Sequence, residues 1–383
     1  MSFSRADKSR LAQSWFTVDH VLLSAILAIM AVGLVLSLAA SPDVAARKGL
    51  GPYYFFERHA LFSAAGVVLM IAVSLMHPRG VRRLALAVFG IALAGLVVVH
   101  FWGAEINGAR RWLSLFGHSL QPSEFAKPGF VVVSAWLLSE ARERPDMPAL
   151  PIAVAAFVAL ALLLIAEPDV GQTMLVTLVL SALFFASGQP ASRALVILAG
   201  AAMAFLGAYQ AFAHVRFRVD RFLNPLPGAE GQVERAMQSF IEGGFFGRGP
   251  GEGTIKTALP DAHTDFIFAV VAEEYGMIAC LAILGLYAFV VVRVLVKSAS
   301  EPDGATRLAV MGLALLFGLQ ALINMGVNVG LLPAKGMTLP FISAGGSSIL
   351  AVSLTLGMAL ALTRRRPDAS RLARGRATPA RET

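Results

Sequence analysis

Charged residues and cysteine are both scarce in this chain of 383 residues. Asp, Glu, Lys and Arg make up 15% of it, whereas an average soluble protein carries roughly 25%. Hydrophobic residues account for 57%, a balance that excludes a soluble globular protein and predicts an integral membrane protein. The single cysteine, Cys280, lies inside an apolar run, so the chain has no intramolecular disulfide framework.

The motifs of several enzyme classes are also missing. The sequence contains no Walker A pattern, no His-Glu-x-x-His and no paired Cys-x-x-Cys. Nucleotide hydrolysis and thiol-bound or zincin-type metal sites therefore have no support. Lys and Arg exceed Asp and Glu by 32 to 24, which gives a net charge of +8. In a membrane protein, an excess of basic residues mainly reflects the orientation of the helices and contact with anionic lipids. We therefore expect no nucleic-acid partner.

The chain does contain a series of long apolar runs. A helix needs about 20 apolar residues to cross the hydrocarbon core of a bilayer. By this measure we predict an all-α integral membrane protein with ten transmembrane helices. The predicted spans are 19–40, 60–76, 84–102, 122–138, 149–166, 170–187, 193–213, 265–296, 306–327 and 344–363. Only Glu167, Pro168 and Asp169 separate the fifth span from the sixth, which favours a tight surface hairpin over one long kinked helix.

Basic residues in the short loops indicate the orientation. With ten spans, these residues all fall on one side: Arg5, Lys8, Arg10, Arg79, Arg82, Arg83, Arg142, Arg144, Lys297, Arg364, Arg365 and Arg366. The positive-inside rule makes that side cytoplasmic. We therefore predict a cytoplasmic N-terminal segment (1–18), a membrane domain (19–364) and a basic cytoplasmic tail (365–383). A cleaved signal peptide is the alternative for the N-terminus, but the first apolar run is too long for one.

One long loop, 212–264, is predicted on the outer face between the seventh and eighth spans. It contains a helical stretch, Val233 to Ile241, followed by six glycines between 243 and 253. Basic residues on this face are Arg110, Arg111, Arg216, Arg218, Arg221, Arg235, Arg248, Lys256 and Lys335. Because Arg forks match phosphate oxygens, the set predicts an outer-leaflet site for a phosphorylated ligand. The alternative is solvated loop charge, with the glycines supplying flexibility alone.

Carboxylates occur at or near membrane depth. Asp265 stands where the loop meets the apolar run 266–272, and it is either a general base or the N-cap of a helix. Glu273 and Glu274 follow, and structural pairing with a basic residue is favoured over a functional role.

Two further polar pairs lie on single helices. In the fourth span, Glu124 and Lys127 share a helix face, and either they pair with each other or Lys127 faces a cavity. Towards the C-terminus, Asn324 and Asn328 lie one helical turn apart in apolar surroundings.

Three segments together resemble the SEDS family of peptidoglycan glycosyltransferases. They are LPDAHTDFIFAVVAEE (Leu259 to Glu274), GLLPAKGMTLPFISAGGSS (Gly330 to Ser348), and NGARRWLSL with QPSEFAK (Asn107 to Lys127). The form KGMTLPFIS is closer to the cell-division branch than to the elongation branch. The resemblance covers nearly the whole chain.

The resemblance implies an inverting glycosyltransferase that polymerises lipid II outside the cytoplasmic membrane, at the division septum. Asp265 matches the essential acid, and Trp112 and Lys127 match positions implicated in activity. The partners implied are a class B penicillin-binding protein, which is a transpeptidase, and other divisome proteins. No cofactor is required by the sequence and no metal ligands are predicted, although Mg²⁺ or Mn²⁺ could be shared with substrate oxygens. The predicted substrate-binding residues are Arg111, Trp112, Glu124, Lys127, Arg216, Arg218, Arg248, Lys256 and Lys335.

The sequence departs from the family pattern at four positions: Ala344 replaces the usual Tyr, Ser119 a frequent basic residue, Asp261 a Glu, and Thr257 an acid found in some members. Ser119 and Thr257 bear on how lipid II or a metal is held. The alternatives to an enzyme are a lipid II flippase and a scaffold that only recruits the transpeptidase. A flippase needs charges along its whole path, whereas the unusual charges here cluster in the outer half of the membrane.

Overall fold

The computed structural model describes residues 17–106, 109–115, 117–211, 213–223, 231–333 and 336–364. The helices are α1 His20–Arg47, α2 Tyr54–Ser74, α3 Pro78–Trp102, α4 Pro122–Glu143, α5 Ala149–Ala166, α6 Val170–Ala186, α7 Ala191–Ala211, α8 Ala213–Leu223, α9 Gln232–Gly243, α10 Ile267–Ala299, α11 Gly304–Asn328 and α12 Gly346–Leu362. A 3-10 turn covers Ile255–Ala258. Each predicted apolar run coincides with a helix, and the predicted helical stretch of the loop is α9.

The chain is predominantly helical and carries membrane-spanning helices. Among the described residues, six helices are long and apolar enough to cross a membrane: α1, α2, α3, α5, α10 and α11. The apolar helices in α6, α7 and α12 are shorter. Residues 167–169 separate α5 from α6, so the single kinked helix weighed for this region is wrong.

A small antiparallel sheet interrupts the helical pattern between α3 and α4. Its strands are β1 Ala104–Ile106, β2 Ala109–Leu115 and β3 His118–Leu120, in the order β1-β2-β3. Gly117 has a φ of 77° between β2 and β3, a backbone conformation that suits a tight turn. The all-α prediction is therefore wrong for this segment, because the strands are too short to stand out in a reading of apolar runs.

The buried centre of the bundle is formed by α4, α11 and α12. α4 packs against α3 and α11, and α12 packs against α2. The peripheral helices instead expose large apolar side chains such as Val68, Ile91 and Leu162. Apolar faces directed outward in this way are expected to contact lipid.

Helix α10 is broken at Gly276, whose φ is 79° and ψ is 179°. Before the break, the carbonyl groups of 273–274 accept hydrogen bonds from the N–H groups of 248–249 at 2.9 and 3.0 Å. After it, the N–H groups of 277–278 donate to the carbonyls of 244–245 at 2.9 and 3.3 Å. The loop thus supplies the hydrogen bonds that the break interrupts. The apolar run 266–272 therefore opens a longer helix.

Candidate active site

A polar cavity of about 580 Å³ lies between the start of α10 and the ends of several other helices. The charged and aromatic residues that line it are Lys48, Phe55, Arg58, His59, Phe62, Arg111, Trp112, Glu124, Asp261, His263, Asp265 and Phe266. Among the predicted site residues, Asp265, Arg111, Trp112 and Glu124 meet here. They come from distant parts of the sequence, so the tertiary structure brings them together.

Asp265 faces this cavity and is only partly buried. Helix α10 begins at Ile267, and Phe266 occupies the N-cap position without a capping side chain. The N-cap alternative for Asp265 is therefore wrong. A Cβ atom added at Gly336 would lie 3.7 Å from the Oδ2 atom of Asp265, so the segment after residue 335 passes directly beside the carboxylate.

Arg111 connects the sheet to the α5–α6 junction. Its Nε donates to the carbonyl of Glu167 at 2.9 Å, and its Nη2 donates to the carbonyl of Pro168. Behind it, burial raises the pKa of the Glu167 carboxyl to about 8; the neighbouring Asp169 adds to the increase, and Arg111 opposes it. Arg111 is thus fixed by backbone oxygens, with its side chain at the cavity wall.

Glu124 and Lys127 form a buried ion pair, with Nζ 3.0 Å from Oε2. Gln172 donates to Glu124 at 2.7 Å, and Lys127 also donates to Gln320 at 2.9 Å. The pairing alternative is confirmed, and Lys127 is not among the residues that line the main cavity, although Glu124 is. Burial of two charges is tolerated here since each is paired and hydrogen-bonded.

Glu274 confirms the prediction of structural pairing with a basic residue, whereas Glu273 is held by backbone N–H groups instead. The carboxylate of Glu273 accepts from the backbone N–H groups of 254–256 at 2.6, 2.7 and 3.0 Å. Glu274 pairs with Lys256 at 2.5 Å, and the same ammonium donates to the carbonyl of Ala39 at 3.1 Å. Lys256, predicted to bind substrate, is therefore buried in a structural ion pair and is not among the residues that line the cavity.

Of the other basic residues predicted to bind substrate, the two whose side chains the structure describes, Arg216 and Arg248, do not line the cavity. Arg216 is exposed on α8 and donates to the carbonyl of Gln210 at 2.7 Å. Arg248 is partly exposed and donates to Thr254 at 2.9 Å and to Glu242. The side chain of Arg218 and the whole of Lys335 lie outside the described residues. Their predicted role in substrate binding stays a prediction.

Sequence reasoning missed Lys48, Arg58 and His263, which line the cavity. Lys48 lies 5.3 Å from the centre of the Phe55 ring. Lys48 and Arg58 flank the short connection between α1 and α2, which the predicted topology puts on the outer face. The criterion that selected Arg110 and Arg111, a basic residue in a short outer loop, would have found them. Burial, reinforced by Lys48, lowers the pKa of His263 to about 4, so this imidazole is neutral at pH 7.

Three of the departures from the family pattern, Ser119, Asp261 and Ala344, also line the cavity. The carbonyl of Ser119 accepts from the Ser347 hydroxyl at 3.0 Å, and Ala344 donates its N–H to the carbonyl of His263 at 2.9 Å. Across the part of the chain that the structure describes, no three His, Cys, Asp or Glu side chains converge to hold a metal ion.

Fold and site together define a polytopic membrane protein in which a carboxylate and several cations share one polar cavity. The family model described as "Cell cycle protein", which represents the FtsW, RodA and SpoVE proteins, matches residues 19–367. This chain belongs to that family, as the resemblance predicted.

Relatives support the same assignment along the whole chain. The chain is 46% identical over 371 residues to "Probable peptidoglycan glycosyltransferase FtsW" of Caulobacter vibrioides, covering 96% of this chain and 95% of that protein. It is 34% identical over 354 residues to the protein of the same name from Trichlorobacter lovleyi, covering 89% and 92%.

Two solved structures share the fold. One, described as "Structural coordination of polymerization and crosslinking by a peptidoglycan synthase complex", aligns with a TM-score of 0.76 at 31% identity, covering 91% of this chain and 98% of that one. The rod shape determining protein RodA of Thermus thermophilus aligns with a TM-score of 0.66 at 27% identity, covering 91% and 97%.

Proposed function

We infer that this chain is a peptidoglycan glycosyltransferase that polymerises lipid II into glycan strands, with Asp265 as the general base. The observation that carries the proposal is that Asp265 lines a cavity also lined by Arg111, Lys48 and Arg58. A lipid pyrophosphate substrate needs such cations beside a proton acceptor. The names of the relatives support the same activity.

The reaction is a single displacement. The Asp265 carboxylate takes the proton of the GlcNAc 4-hydroxyl group of the acceptor lipid II. The freed oxygen forms a bond to C1 of the terminal MurNAc of the growing chain, and the bond from C1 to the lipid pyrophosphate breaks with inversion. Arg111, Lys48 and Arg58 stabilise the negative charge on the departing pyrophosphate. A divalent cation, Mg²⁺ or Mn²⁺, would draw ligands from the pyrophosphate oxygens as well as from the protein.

The topology that fits this chemistry has ten membrane spans, formed by α1 to α7 and α10 to α12. Both termini then lie in the cytoplasm, and 212–264 lie outside a bacterial cytoplasmic membrane. In this arrangement the cavity lies in the outer half of the bilayer, where a lipid-linked sugar reaches it. The positive-inside pattern of the short loops supports the orientation.

We further propose that the chain works at the division septum, with a class B penicillin-binding protein and other divisome proteins. The support is the FtsW name of its relatives and the solved peptidoglycan synthase complex that shares its fold. An elongation role of the RodA type is the alternative, supported by the likeness to the RodA structure. Depleting the protein in its host separates the two, since loss of a septal enzyme gives filaments and loss of an elongation enzyme gives round cells.

The direct test is a polymerisation assay with the purified protein, its transpeptidase partner and lipid II. Asp265→Asn removes the charge without changing the volume, and we expect the rate to fall by at least about 10²-fold because the general base is lost. Asp303→Asn is the matched control. Asp303 caps the N-terminus of α11, at the end far from Asp265, so this variant should leave the rate unchanged. Polymerisation by Asp265→Asn at the wild-type rate would refute the assignment of the base.

A flippase assay separates the enzyme from the transport alternative. Fluorescent lipid II in proteoliposomes should remain on its original leaflet when the protein is present, while polymer forms from lipid II of the outer leaflet. Transfer between leaflets without polymer would support the flippase instead.

A further inference from the structure

Two buried asparagines on α11 both contact the backbone of Asp265. Asn324 and Asn328 lie one turn apart and are 1% and 0% exposed. The Nδ2 group of each donates to the backbone carbonyl oxygen of Asp265, and both distances are 2.9 Å. A single carbonyl on the residue proposed as the general base therefore receives two amide donors.

The same amides fix the chain on either side of the carboxylate. The Oδ1 atom of Asn328 accepts from the N–H of Ala269, in the first turn of α10, at 3.1 Å. The Nδ2 group of Asn324 also donates to the carbonyl of Met337 at 2.6 Å. Met337 follows Gly336, which passes beside the Asp265 carboxylate. The pair thus holds Asp265, the start of α10 and the neighbouring segment in one arrangement.

Neither asparagine is among the residues that line the cavity, so neither is placed to touch substrate. Apolar residues of the same turns, such as Ala321 and Val327, are also buried, so the two asparagines stand in apolar surroundings. A polar side chain in a membrane helix is costly unless its groups are paired. Here the amides of both residues are hydrogen-bonded to the backbone around Asp265, and the Nδ2 group of Asn328 also donates to the carbonyl of Asn324 at 2.9 Å.

We propose that Asn324 and Asn328 are positioning residues that set the Asp265 carboxylate at the depth the reaction needs. The proposal rests on the proposed function, in which Asp265 is the general base. A general base must lie within hydrogen-bond reach of the proton that it removes. A displacement of about 1 Å caused by a residue away from the chemistry can cost about 10²-fold in rate.

The test is the kinetics of Asn324→Ala, Asn328→Ala and the double variant. Each single variant leaves one donor on the Asp265 carbonyl, and we expect kcat to fall by about 10-fold. The double variant leaves that carbonyl without either amide, and we expect a fall of about 10²-fold. The KM for lipid II should stay within about twofold of wild type, because a change in carboxylate position affects the transition state and not substrate binding.

Leu313→Ala is the control for a loss of stability alone. Leu313 is 0% exposed in the core on the same helix, three turns nearer the inner end, and is not among the residues lining the cavity. Truncating this side chain leaves an empty space in the core and so destabilises the protein. Rates are divided by the amount of lipid II bound per protein, so that only folded molecules count. We expect Leu313→Ala to lower Tm as much as the asparagine variants do and to keep the wild-type kcat.

Three results would overturn the proposal. If the double asparagine variant keeps kcat within about twofold of wild type while Asp265→Asn is inactive, the positioning role fails and the proposed function stands. If Leu313→Ala loses as much kcat as the asparagine variants, their effect is structural. If wild-type protein makes no polymer, the proposed function and this inference fail together.

Discussion

Glu167 is an unusual residue because its carboxyl is buried without a matching partner. It is 2% exposed, and neither carboxyl oxygen has a hydrogen-bond partner among the described residues. Arg111, the nearby cation, instead donates to the backbone carbonyls of 167–168. Burial therefore raises the pKa of Glu167 to about 8, and the folded protein favours the neutral acid at pH 7.

This arrangement predicts a cost in stability that grows with pH. Since the folded pKa of Glu167 lies above the ordinary value of 4.5, its contribution is fully present below pH 4.5 and is lost as pH rises towards 8. Glu167→Gln removes the titration, so the variant should match wild type at pH 4 and exceed it in Tm at pH 8. The difference should reach a few kcal/mol. Thermal unfolding in detergent across this range measures it, and parallel curves for the two proteins would contradict the prediction.

At the level of elements, the glycine-rich loop packs against the break in helix α10 and supplies hydrogen bonds to it. Two of the glycines between 243 and 253 allow close backbone contact with α10. A Cβ atom at Gly243 would lie 1.8 Å from the carbonyl oxygen of Ala272, and one at Gly247 would lie 2.2 Å from that of Glu274. The absence of side chains there lets the loop replace the hydrogen bonds lost at Gly276.

Gly243→Ala tests this packing. The added methyl group collides with the α10 backbone, and we expect a loss of about 1–3 kcal/mol in unfolding free energy. Gly285→Ala lies on α10 itself, where an added Cβ meets nothing within 4 Å. This control should leave Tm unchanged or raise it slightly, since Ala favours a helix over Gly. Equal Tm values for wild type and Gly243→Ala would show that the loop does not depend on this contact.

At the scale of the whole molecule, Asp19 ties the first helix to the far end of α10. Its carboxylate caps α1 through two N–H groups at 3.1 Å each, accepts from Arg293 at 2.8 and 2.9 Å, and lies 2.8 Å from Lys297. Burial alone would raise the pKa of Asp19, but the hydrogen bonds from Arg293 and Lys297 outweigh it and hold that pKa well below the usual range. The helix that begins beside Asp265 is thus anchored at both ends.

Asp19→Asn keeps a side-chain oxygen for the helix cap and removes the ion pairs. We expect the variant to be about 2 kcal/mol less stable than wild type between pH 5 and 8, where the carboxylate is ionised in both folded and unfolded chains. Because the folded pKa of Asp19 is lowered, this stabilisation is present above the unfolded value of 3.8 and is lost as pH falls through the folded value. Unfolding curves of both proteins at several pH values check this, and a difference that grows as pH falls would argue against it.

The sequence by itself determined the helical and membrane character of the chain and several candidate residues. The length of an apolar run can be read directly from consecutive residues, so each run predicted a helix. Glu273 and Glu274 were expected to be paired because an unpaired charge at that depth costs too much free energy. The sequence motifs also pointed to Asp265 and to the family.

Only the tertiary structure decided which of these residues meet. Asn328 and Ala269 are 59 residues apart in sequence, and Lys256 reaches both Glu274 and Ala39. Contacts of this kind depend on which helices are neighbours and at what depth, and no local pattern records either. The same holds for the cavity, where Lys48 and Arg58 join Arg111 because the α1–α2 connection and the sheet between α3 and α4 converge. Periodicity and composition describe residues that are close in sequence, whereas the site is formed by residues that are distant in sequence and meet only in the folded chain.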